Sequence, residues 1–176
     1  MASELRVDRI VPVDGVPTGG GGGIVQVVQA STNTSVSINS YTAYVDTGLS
    51  ATITPKFATS KIVVITNHQV YAASDGNNNF YWGIRILRDS TTIFNPVQDS
   101  QGPFDFGQQA YGASTTRTWY ARCITPEVLD SPNTTSAVTY KTQCRTYNAS
   151  NNGTIYFQRN VTTPGSSFIT LMEISA

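Results

Sequence analysis

Charge is scarce in this sequence. Charged residues occupy 12% of the 176 positions, about half the usual share of a globular chain, and 11 basic side chains are cancelled by 11 acidic ones. Such a surface exerts no long-range pull on nucleic acid or an anionic membrane, so neither is an expected partner. Long apolar runs are missing too: nothing approaches the roughly 20 residues of a membrane helix, and no membrane insertion is expected. The opening "MASELRVDRIV" mixes charges from its fourth residue and has no continuous apolar segment, so it does not read as a secretory signal. One histidine and two cysteines cannot assemble a zinc site. No run shows the three-and-four apolar spacing of an amphipathic helix.

In place of charge the chain carries Ser, Thr, Asn and Gln, the surface of a β protein kept in solution by hydroxyls and amides. Five Asn-X-Ser/Thr triplets, at Asn33, Asn133, Asn148, Asn152 and Asn160, follow from that composition in a chain without a signal. Period-2 alternation marks "IVQVVQ" (24–29), "LSATITP" (49–55), "KIVVITNHQVYA" (61–72), "FYWGIRILRD" (80–89), "TTIFNPV" (91–97), "TRTWYARCIT" (116–125), "AVTYKTQCRTY" (137–147), "GTIYFQ" (153–158) and "SFITLMEI" (167–174) as strands. About eight to ten strands separated by polar turns predict an all-β antiparallel sandwich, a jelly roll in arrangement. Ile62, Val64, Trp82, Ile84, Ile86, Phe168 and Met172 are its expected core residues.

Cys123 and Cys144 lie in two of these runs, joined by the Pro- and Asn-containing "PEVLDSPNTT". A hairpin centred near Asn133 would set Trp119, Ala121 and Cys123 on one core face with Val138, Tyr140 and Cys144. The two thiols are read as free and buried, a disulfide across the hairpin being the geometric alternative.

Five glycines, Gly19, Gly20, Gly21, Gly22 and Gly23, follow a segment that Pro12 and Pro17 bias toward extended backbone. The expected organisation is an extended leader over 1–18, a glycine hinge over 19–23 and one β-sandwich domain over 24–176. A plain disordered linker is the alternative reading of the glycines. Leu5, Val7, Ile10 and Val11 are spaced to suit an extended strand that adds to a sheet of another protein.

Candidate chemistry is sparse. His68 sits inside an alternating strand with no metal-type residue at i+2 or i+4, which fits a structural histidine, satisfied or partly buried. Asp75, Asp89, Asp99, Asp105, Glu127 and Asp130 fall mostly in predicted loops; a pair of them would serve glycoside hydrolysis only at a separation that sequence does not define. There is no nucleophile elbow, phosphate-binding loop or metal constellation, so the expectation is a protein that is not an enzyme and uses no metal or cofactor.

The longest stretch without strand pattern, 95–115, holds Phe104, Phe106 and Tyr111 among glycines and amides. Those rings suit carbohydrate or protein recognition, and equally a subunit interface or a cap on the sandwich. Asn77, Asn78 and Asn79 make a polar loop tip, either a binding loop or an ordinary turn.

The segments "SELRVDRIVPVDGVPTGGGGGIVQVVQ", "YVDTGLSATITPKFATSKIVV" and "SSFITLMEISA" together resemble small virion proteins of tailed bacteriophages, particularly those of marine cyanophages, in which an L-x-V-D-x-I leader precedes a short linker and a β domain. These blocks cover roughly a third of the chain. The resemblance implies a homotrimeric jelly-roll head similar to tumour-necrosis-factor and complement C1q heads. It also implies a tail-fibre or virion structural role, manufacture in the host cytoplasm and a place on the outside of the particle. Expected partners are further copies of the chain, a second virion protein at the leader, and a glycan or protein of the host surface. A head or neck decoration protein, or a fibre-borne glycan depolymerase, is the alternative.

Overall fold

The computed structural model describes residues 23–74, 80–96, 98–99, 102–103, 106–108, 118–146, 154–159 and 165–175. They contain fourteen strands and no helix. The first seven are β1 (Ile24–Thr32), β2 (Val36–Ile38), β3 (Val45–Ile53), β4 (Lys61–Ser74), β5 (Phe80–Arg88), β6 (Thr91–Phe94) and β7 (Gln98–Asp99). Then come β8 (Gly102–Pro103), β9 (Phe106–Gln108), β10 (Thr118–Ile124), β11 (Glu127–Asp130), β12 (Val138–Thr146), β13 (Thr154–Phe157) and β14 (Ser167–Ile174).

They form an antiparallel β-sandwich. The larger sheet runs β1-β14-β4-β13-β2, with β10 and β11 also on β4; the smaller runs β3-β12-β5-β6, with β9 on β5. β7 and β8 pair only with each other. The spine of the larger sheet is β4, whose Val, Ile, Thr and Tyr content favours a pleated, half-buried surface. Its partners change near His68: β14 meets 61–67 and β13 meets 70–73, while β11 meets 62–65 and β10 meets 68–74.

Inward residues alternate as a sandwich requires: Ile62, Val64, Thr66, His68, Val70 and Ala72 from β4 are buried, and so are Val138, Tyr140, Thr142, Cys144 and Thr146 from β12. The apolar core divides in two. One cluster gathers Leu49, Ile53, Ile62, Val64, Ile86, Val138, Tyr140, Ile169 and Leu171; the other gathers Ile38, Val70, Trp82, Ile84, Cys144, Ile155 and Phe157. Each large side chain fully buried there contributes about 1.5–3 kcal/mol. Between the clusters in sequence lie Thr66 and His68 on β4 and Thr142 on β12, all buried and polar. Thr142 and Thr47 share a hydroxyl hydrogen bond of 2.5 Å, and the Thr66 hydroxyl donates to the Pro126 carbonyl at 3.2 Å.

Gly48 has φ of +83°, a conformation that L side chains rarely adopt, and it stands where the β3–β12 ladder shifts register between Lys141 and Gln143. Thr47, Leu49, Ala51 and Ile53 point inward by ordinary two-residue alternation, which continues unbroken through Gly48.

Three expectations are corrected. The hairpin of 116–125 with 137–147 does not form, because β10 pairs with β4 in the larger sheet and β12 with β3 and β5 in the smaller. The stretch read as a turn holds its own strand, β11, also on β4; the chain then crosses between sheets through Asn133 at φ of +53°. Trp119, Ala121 and Cys123 therefore do not face Val138, Tyr140 and Cys144 across a ladder. Cys144 is a free, fully buried thiol, and burial pushes its pKa up.

Phe168 and Met172 are not core residues. Phe168 is 41% exposed and Met172 partly exposed, whereas Ile169 and Leu171 point inward. The segment 95–115 is not free of strands, since β7, β8 and β9 lie within it. Ile62, Val64, Trp82, Ile84 and Ile86 are buried as expected.

Candidate functional site

Two outward faces carry chemistry of opposite kinds. On the larger sheet the register aligns Val27 with Met172, Met172 with Val63, and Val63 with Leu129, an apolar row across four strands. Its ends are the most open: Val27 is 55% and Leu129 57% exposed, and Ile24 and Phe168 add further exposed apolar surface. Cross-strand neighbours of this kind sit within side-chain contact, so the row forms one surface rather than scattered residues.

The smaller sheet is polar outside. Register places Gln143 between Asp46 and Arg85, and Arg145 opposite Gly83. Arg85 donates from Nε and Nη2 to the Gln143 amide oxygen at 2.9 and 2.6 Å. The Gln143 amide and the Lys141 ammonium donate to the two oxygens of Asp46 at 2.6 and 3.1 Å. Tyr44, just before β3, lies under both guanidinium groups, 4.1 Å from Arg85 and 5.1 Å from Arg145 to the ring centroid.

Inside, three groups carry the ionisable chemistry. His68 is fully buried, packs edge-on to Phe157 and, among the described residues, finds a hydrogen-bond partner for neither ring nitrogen; a satisfied or partly buried histidine is thus not what forms. Desolvation lowers its pKa from 6.5 to about 4, so it is a neutral structural residue at pH 7. Nearby, Gln158 donates to the Ser167 hydroxyl at 2.6 Å, and that hydroxyl also accepts from the Gln69 backbone at 3.0 Å.

Glu173, also fully buried, accepts from the Gln26 amide at 2.6 Å and from the backbone of Lys56 and Phe57 at 2.7 and 3.3 Å. Burial alone pushes its carboxyl up. The Ser60 hydroxyl, which falls short of full hydrogen-bond geometry, together with the Gln26, Lys56 and Phe57 donors outweighs burial and holds the carboxyl below its usual range. It pins the turn after β3 to β14.

The third group joins strands at one end of the sandwich. Arg88 donates to both oxygens of Asp130 at 2.8 and 2.7 Å, and the buried Tyr140 hydroxyl donates to Asp130 Oδ2 at 2.8 Å. Burial, with Asp130 beside it, raises the Tyr140 pKa. These are framework contacts linking β5, β11 and β12. Among the described residues no three His, Cys, Asp or Glu side chains gather to hold a metal. No helix among them is long and apolar enough to cross a membrane.

Most of the sequence-selected positions lie outside the described residues: Leu5, Val7, Ile10, Val11, Gly19, Gly20, Gly21, Gly22, Asn77, Asn78, Asn79, Phe104 and Tyr111. Gly23 is described, exposed, with open space where a β-carbon would stand. Phe106 lies in β9, its backbone paired with Trp82. Neither outward face was singled out by sequence, because each draws on strands far apart in the chain. The signal available was the surplus of apolar residues in "SFITLMEI", more than one face of a strand requires. No protein-family model matches the chain, and no curated protein matches it.

Proposed function

We propose that the chain is a non-enzymatic structural subunit of a tailed-phage particle, a tail-fibre or fibre-tip protein whose jelly-roll heads assemble as a homotrimer and meet the host surface. The observation that carries the reading is the row Val27–Met172–Val63–Leu129. An apolar row with its ends more than half exposed gains free energy when covered, at about 25 cal/mol per Å². Further copies of the chain are its natural cover, since the row bears no charge while the opposite face carries Asp46, Lys141 and Arg85. Three copies around an axis would bury the row and leave the polar face outside.

The strand orders support the jelly-roll assignment: β1, β14, β4 and the β10–β11 edge oppose β3, β12, β5 and β6. In this reading the leader, 1–18, docks by strand addition into another virion protein, and the five glycines let a threefold head depart from a site of different symmetry. The resemblance of the leader and of two β-domain segments to cyanophage virion proteins supplies the particle.

Attachment of the purified full chain to host cells, with antibody labelling of intact particles, tests the role. Attachment and labelling at the tail are expected. Labelling at the head or neck without attachment would replace the adhesin reading with a decoration protein, and turnover of a host glycan by the purified chain would replace it with a depolymerase.

A further inference from the structure

We propose that the outward face of the smaller sheet is a binding site for an acidic saccharide, built by Arg85 and Arg145 around Tyr44. Among the described residues three cations, Arg85, Arg145 and Lys141, stand there against one carboxylate, Asp46, an excess of two positive charges. Asp46 is already engaged by Lys141 and Gln143. Arg85 spends two donors on the neutral Gln143 oxygen, and neither arginine meets a carboxylate among the described residues. In a chain with so few charges, two guanidinium groups held against one tyrosine ring need a reason.

The geometry gives one. Contact with the Tyr44 ring holds the two guanidinium groups side by side. With Arg85 Nε and Nη2 engaged by Gln143 and Arg145 Nε enclosed, the Nη ends of the two groups are the donors left for an oxyanion, and paired N–H donors of this kind let arginine bind carboxylate or phosphate through a fork. Arg145 Nε is shut off from solvent and meets no acceptor among the described residues, so packing holds this half-buried side chain and its Nη groups are the donors left. Arg145 stands opposite Gly83, which puts no side chain on the outward face of β5 at that register position. Asp46, 55% exposed at its side chain, and the Gln143 amide add hydroxyl partners beside the cationic pair. An oxyanion flanked by hydroxyls is the chemistry of a uronic acid or a phosphorylated sugar.

The site deepens the host-surface reading and rests on it for the source of the saccharide; the oxyanion chemistry stands on the residues alone. The test titrates the full-length protein with oligogalacturonate, with the matching neutral galacto-oligosaccharide and with inorganic phosphate, and follows host-cell attachment in parallel. Expected is saturable oligogalacturonate binding that weakens with salt, at least tenfold stronger than either the neutral sugar or phosphate. It should fall at least tenfold in Arg145→Gln and in Arg85→Gln, with particle mass unchanged. Arg145→Lys, which keeps the charge and loses the fork, should lose most of the binding too. Equal binding of acidic and neutral sugars, or wild-type binding by the arginine variants, would overturn the site; phosphate binding as strong as the oligosaccharide would overturn its saccharide character. Cell attachment unchanged in a folded Arg145→Gln protein would count against the site and leave the fibre reading intact, whereas oligogalacturonate binding without cell attachment would keep the site and remove the host-surface role.

Discussion

His68 packs edge-on against Phe157, ring centroids 5.4 Å apart at 78°, and among the described residues neither imidazole nitrogen meets a hydrogen-bond partner. The folded state therefore resists protonation. Its pKa is about 4 when folded against 6.5 ordinarily, so the unfolded chain takes up the proton first as pH falls. This group leaves stability unchanged above about 6.5 and removes it between about 6.5 and 4, by roughly 3 kcal/mol in all at 1.36 kcal/mol per pH unit. Urea unfolding at pH 7 and pH 4.5 should show the loss in wild type and a much smaller one in His68→Phe. Glu173 acts in the same direction at lower pH: its folded pKa is held down, so its contribution is present above the unfolded value and is lost as pH falls through the folded one.

Tyr140→Phe removes a hydroxyl that donates to Asp130, while Arg88 still holds that carboxylate. The expected cost is about 1–2 kcal/mol, read as a lower urea midpoint with unchanged slope.

Gly48→Ala forces a β-carbon onto backbone at φ of +83° and to 3.3 Å from Val36 Cγ2. A loss of about 1–3 kcal/mol is expected. If the bulge positions Thr47, the variant should also raise amide exchange of Thr47 and Leu49; a variant as stable as wild type would show that this backbone irregularity carries no strain.

Deleting residues 1–18 should leave a folded, soluble protein that no longer joins the particle. A truncated chain recovered in purified particles at the wild-type level would remove the anchoring role of the leader.

Local alternation made much of the fold legible. The run 61–72 specifies a strand and its inward face, and β5 and β12 follow the same logic. It failed where the two faces of a strand compete. In β14, Phe168, Met172 and Ile174 make the more apolar set, yet Ile169, Leu171 and a buried Glu173 face inward. Glu173 is tolerated there because Gln26, Lys56 and Phe57, all distant in sequence, donate to it. The same choice of face turns Met172 outward and builds the exposed apolar row. β11, "EVLD", is short and half charged, so it reads as part of a turn, and pairing with β4 overrides that local signal. The stacking of Arg85 and Arg145 on Tyr44 joins three positions that only the β3–β12–β5 register brings together.

The central claim is that the Val27–Met172–Val63–Leu129 row is covered by other copies of the chain. Light scattering of the full-length protein, beside Leu129→Asp, measures this directly. The account predicts a particle of three times the 19.0 kDa chain mass for the wild type and a folded monomer for Leu129→Asp, because a carboxylate in the row would be buried unpaired. A wild-type protein that stays at 19.0 kDa at micromolar concentration, or a Leu129→Asp protein that keeps the wild-type mass, would contradict it.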